Sequence, residues 1–161
     1  MPVLSSSIAS QVVLIVTAGV LFYAALTDLR TFTISNSLIV GLVLLYVLYT
    51  TLSGRWSNAG GDIGFAALIL AFLFGVYALG WMGGGDVKLF SVALLWTGIH
   101  CALVFAVMLL VFSTAHVLIV KLRDTTRPQN IVRERARIPF APSVAASLIG
   151  VFMLGCLRPP A

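Results

Sequence analysis

The sequence predicts an all-α integral membrane protein with six transmembrane helices and its N-terminus outside. Three observations carry this expectation. Hydrophobic residues make up 60% of the chain and charged residues only 9%, whereas a soluble domain carries roughly a quarter charged residues. The apolar residues collect in six stretches, at 8–26, 36–52, 63–80, 87–98, 99–120 and 140–157. The basic residues between those stretches fall mostly on one side once the chain is threaded back and forth.

The chain opens on "MPVLSSSIASQ", which holds no Lys or Arg. A secretory signal needs a basic segment and a small-residue cleavage site, so 8–26 is expected to remain as the first membrane helix. The second, 36–52, opens on Ser35 and Asn36, both suited to capping a helix start. The third, 63–80, follows "NAGGD", and Asp62 is expected to cap it on the outer side. The fourth, 87–98, is short of the roughly 17–25 residues a span needs. It reads either as a thin crossing or as a re-entrant piece packed against protein. The fifth, 99–120, and the sixth, 140–157, are long enough, and Pro139 and Pro142 shape the start of the sixth.

Six crossings with the N-terminus outside put Arg30, Lys88, Lys121, Arg123, Arg127, Arg133, Arg135 and Arg137 inside. Only Arg55 and Arg158 fall outside. This asymmetry obeys the positive-inside rule and would reverse if the fourth stretch failed to cross. The aromatics suggest the same frame. Tyr49, Trp56 and Trp96 are expected near the outer interface and Trp81 near the inner one. His100 is expected toward the outer face, and His116 about one turn inside the inner end of the fifth helix. The polar segment 121–138 is expected to be a cytoplasmic basic loop held near anionic headgroups. The whole of 1–161 reads as a single polytopic domain.

A pI near 9.8 would raise nucleic acid as a partner for a soluble chain. Here no basic face is interleaved with aromatics, so the charge is assigned to topology and the bilayer is the expected partner. Cys101 and Cys156 lie in apolar runs without metal-ligand spacing. They are expected to be inert thiols, with no metal and no cofactor.

Five acids are present: Asp28, Asp62, Asp86, Asp124 and Glu134. Asp124 and Glu134 belong to the polar loop. Asp28 ends the first helix and Asp86 begins the fourth, so six crossings place both at the inner membrane face. Ionisable groups near membrane depth are costly and usually functional. Two carboxylates at one depth can share a proton, activate water against a peptide carbonyl and protonate the leaving amine. Helix polarity makes Asp86, at a helix N-terminus, the ionised base and Asp28, at a C-terminus, the acid. The glycines of "GGGD", among them Gly83 and Gly85, offer positive φ and room for an approaching backbone. They equally suit a tight turn with Asp86 as a cap. Lys88 suits either steadying the dyad or snorkelling to the interface.

Here the chain resembles a known family, the prepilin leader peptidases, membrane aspartic proteases with a GxGD signature. Gly83-Gly84-Gly85-Asp86 matches that signature, and Val87-Lys88-Leu89 matches its usual continuation. The run from Asp28-Leu29-Arg30 to Ile34-Ser35-Asn36 resembles the first aspartate motif of the family, with Ser35 where proline is usual. "IPFAPSVAAS" resembles the start of the last helix.

The resemblance implies Asp28 and Asp86 as the catalytic pair, supported by Gly83, Gly85, Lys88, Arg30 and Asn36. It implies an endopeptidase that removes the short basic leader of a type IV prepilin at the cytoplasmic face of the inner membrane. It also implies a pilus assembly machinery as context. The short length and the lack of a paired-cysteine insert resemble the peptidase-only form that serves Flp (tight-adherence) pili. A small proton-coupled transporter and a noncatalytic pilus-assembly subunit are the alternative readings.

Overall fold

Residues 2–31, 33–125 and 140–156 are described by the computed structural model, and every regular element among them is helical. The elements are α1 (Pro2–Thr31), α2 (Asn36–Ser53), α3 (Trp56–Ala78), α4 (Gly84–Thr125) and α5 (Ala141–Met153). Four stretches, Ile8–Thr31, Asn36–Ser53, Trp56–Ala78 and Gly84–Leu122, are long and apolar enough to cross a membrane. Bare apolar side chains such as Leu68, Phe72, Leu103 and Leu110 cover their outward faces. Such surface is unfavourable in water but costs nothing in lipid. The basic loop expected at 121–138 lies mostly outside the described residues. Its first residues complete α4.

Helix α4 is not one rod. Gly98 has φ 59° and ψ −176°, a conformation that essentially only glycine adopts. The chain turns back there, as its contacts with α5 show. In the limb 99–125, Cys101 meets Cys156, Met108 and Phe112 lie against Gly150, and His116 meets Ser143. This limb therefore runs antiparallel to α5. In the limb 84–97, Phe90 stacks near Phe140 and Trp96 near Phe152, so this limb runs parallel to α5. The boundary expected between the fourth and fifth apolar stretches thus falls on the residue that reverses the chain.

The first limb of α4 forms the centre of the bundle, and residues 91–98 are buried without interruption. At about 1.5 Å per residue it is roughly 20 Å long, against roughly 30 Å of hydrocarbon. Protein rather than lipid surrounds it, so it need not match the thickness of the bilayer. Trp96 is a correction to the sequence reading. It is 1% exposed, donates to the Leu42 carbonyl at 3.1 Å and packs against Tyr46 and Tyr49. Its indole N–H finds a partner inside the protein, so it needs no headgroup region.

Helix α3 starts earlier than expected, at Trp56, with Arg55 as N-cap. Asp62 therefore lies within the helix and does not cap it. Ala59, Asp62 and Ala66 form its buried stripe, at the spacing of one helix face. The two alanines let α3 approach the first limb of α4 closely, with Asp62 set against Gly98. That packing outweighs the low helix propensity of Gly60 and Gly61. Asp62 accepts a hydrogen bond from the Tyr46 hydroxyl at 3.1 Å and presses against Gly98.

The cysteines are a further correction, because Cys101 and Cys156 form a disulfide. Separation by 55 residues hid the pairing, which only the reversal at Gly98 creates. The bond closes a long loop, and such bonds contribute about 2–4 kcal/mol. Cys101→Ser is expected to lower the unfolding temperature in detergent, and reductant is expected to reproduce that shift in the parent chain and not in the variant.

Candidate active site

The contacts sort the described polar groups onto two ends of the bundle. One end holds Tyr46, Asp62, Gly98 and the disulfide. The other holds Asp28, Asn36, Tyr77, Asp86, Lys88, His116 and the start of α5. Asp28 and Asp86 share this second end, on separate helices.

Asp28 is carried on the last turn of α1 and is only 4% exposed. Its Oδ2 accepts the main-chain N–H of Ala141 at 3.1 Å. Helix α5 starts at Phe140 with no side-chain cap of its own, so Asp28 supplies from α1 the cap that the local sequence lacks. An orphan N–H at a helix start is thereby satisfied inside the protein. Asp86 lies in the first turn of α4, close enough for Asp28 to act on it electrostatically. The dipole of α4 also points its positive end toward Asp86.

Asp28 thus meets the N-terminus of α5, a main-chain donor outside its own helix. No residue near Ala141 in the sequence announces it, since the donor is main chain. The one legible sign was an apolar Phe140 where a capping side chain belongs.

The glycines act through space and not through φ. Positive φ occurs at Gly54, Gly80, Gly98 and Gly155 and so not at Gly83, Gly84 or Gly85, contrary to the sequence reading. A Cβ at Gly84 would lie 3.3 Å from the Tyr77 ring, and one at Gly85 would lie 3.4 Å from Ile34. A Cβ at Gly83 would lie 3.1 Å from Asp86 Oδ2. Missing side chains let α3 and the 33–35 segment close around the acid.

Ser35 caps α2, its hydroxyl accepting from Ser37 N–H at 3.3 Å. Asn36, expected to share that role, turns its carbonyl to Lys88 Nζ at 3.0 Å. This contact joins the starts of α2 and α4 on the rim of the site. Arg30 is exposed. A groove of about 450 Å³ opens between the end of α1 and the start of α2. Thr27, the neighbour of Asp28, lines it together with Thr31, Thr33, Ser35 and Ile34. Among the described residues, no three His, Cys, Asp or Glu side chains group as a metal site.

This end can therefore do acid–base chemistry with two carboxylates, one of them buried and held by a helix start. Neither a curated protein nor a solved structure matches the chain. The sequence model of the type IV leader peptidase family matches residues 15–120, the span that carries both aspartates, and the chain belongs to that family.

Proposed function

We propose that the protein is an aspartic endopeptidase that cuts the leader from Flp-type prepilins at the cytoplasmic face of the inner membrane. One observation carries the reading: in a chain of the leader peptidase family, Asp28 and Asp86 come from separate helices to one end of the bundle. The ionised carboxylate removes a proton from water as the water adds to the scissile carbonyl. The protonated one hydrogen-bonds the carbonyl oxygen, and a proton then passes to the leaving amine.

The orientation is supported from both ends. Disulfides persist in oxidising compartments, and the Cys101–Cys156 bond marks the end away from the aspartates. The basic residues of the sequence favour the cytoplasm for the aspartate end. Six crossings with the N-terminus outside satisfy both. Lys88, Asn36, Arg30, Gly83 and Gly85 then support the pair from the rim.

Co-expression with a short Flp-type prepilin is expected to convert the precursor to a form lacking its leader, seen as a mobility shift on a gel and located by mass spectrometry. A precursor left intact beside correctly inserted protein would remove this reading.

A further inference from the structure

The first turn of α5 is held from a second side, by a contact that the proposed chemistry does not use. His116, on the returning limb of α4, places Nδ1 3.3 Å from the Ser143 hydroxyl. The serine can donate to a bare Nδ1 or accept from a protonated one, so the contact exists in either tautomer. Ser143 is 4% exposed. Its N–H donates to the Phe140 carbonyl at 3.1 Å, and its carbonyl accepts from the Ser147 hydroxyl at 2.6 Å. It is therefore fixed within the same turn whose Ala141 N–H meets Asp28. With no side-chain cap at Phe140, this turn is located by Asp28 on one side and His116 on the other.

We propose that His116 and Ser143 form a strut that sets the first turn of α5, and through Ala141 sets the position of the Asp28 carboxylate. His116 is then a positioning residue. The functional part of this inference rests on the peptidase reading; the geometric part does not. Catalytic groups need placement within about 0.5 Å, and a misplacement of about 1 Å can cost on the order of 10²-fold in rate. An imidazole in an apolar helix near membrane depth is costly without such a partner.

Two readouts test it. In the first, prepilin cleavage by His116→Ala is expected to lose about 10–100-fold in kcat with KM nearly unchanged. His116→Asn, which keeps a hydrogen-bonding group near the Nδ1 position, is expected to recover most of the loss. Ser143→Ala is expected to match His116→Ala, with no further loss in the double variant. The second readout needs no cleavage. Coupling of a hydrophobic carbodiimide to Asp28, mapped by mass spectrometry on detergent-solubilised protein, is expected to rise severalfold in His116→Ala and Ser143→Ala and to return toward the parent value in His116→Asn.

Unchanged Asp28 labelling in Ser143→Ala and His116→Ala alike, or a loss of folded protein at constant kcat, would overturn the strut. If labelling responds as expected while the parent chain cuts no prepilin, the strut stands and the peptidase reading fails. Should His116→Ala not fold, Ser143→Ala decides the outcome by the same two measurements.

Discussion

Asp28→Asn and Asp86→Asn are each expected to stop leader removal while leaving an inserted, helical protein. Asparagine keeps the size of aspartate, and its carbonyl can still accept the Ala141 N–H that Asp28 accepts at 3.1 Å. What it loses is the capacity to exchange a proton. A positioned general acid or base contributes about 10²–10⁴-fold, so each variant is expected to fall by at least that range. The double variant should fall little further, because two carboxylates acting on one water form a unit. Cleavage time courses, normalised to monodisperse protein after size exclusion, measure this directly. Processing at the parental rate by either variant would exclude the dyad chemistry.

The second large effect is structural and arises at the opposite end. Gly98→Ala is expected to destabilise the protein enough to reduce its recovery sharply. The backbone at Gly98, with φ 59° and ψ −176°, costs a residue bearing a Cβ about 1–3 kcal/mol. The new methyl would also collide with the Asp62 carboxylate, 2.8 Å from its Cγ. Asp62 cannot swing away freely, because it is 6% exposed and held by the Tyr46 hydroxyl. Overpacking of this kind adds about 1–3 kcal/mol. Together the two effects, about 2–6 kcal/mol, are a large fraction of the stability of a typical domain, about 5–15 kcal/mol. Gly75→Ala is the control, since nothing lies within 4 Å of a Cβ there and the helix gains propensity. Thermal unfolding in detergent should show a large drop for Gly98→Ala and little change for Gly75→Ala. Equal behaviour of the two variants would mean that the reversal tolerates an ordinary residue.

These two sites differ in how much of them the sequence displayed. Asp28 and Asp86 stood out because acids are scarce in an apolar chain, and their threading to one end followed from counting crossings. The boundary at Gly98 was also visible, as a break between two apolar stretches. The partners were not visible. Trp96 looked interfacial because aromatics prefer that zone, yet a carbonyl 54 residues away satisfies its N–H. Asp62 looked like a cap because it follows glycines, yet it sits inside α3 facing the reversal. Cys101 and Cys156 looked inert because neither has a cysteine nearby in sequence.

The sequence by itself determined the solvent and pointed to the candidate acids: an apolar, charge-poor chain must satisfy its backbone within helices in lipid, and threading brings Asp28 and Asp86 to the same end. Only the tertiary structure decided what holds those acids. Asp28 is bound by a main-chain N–H of α5, and Gly98 folds α4 back so that His116 and Cys101 reach the two ends of that same helix. The physical reason is that local pattern records which side chains avoid water, whereas a main-chain donor leaves no mark in composition and a chain reversal makes neighbours of residues far apart in sequence.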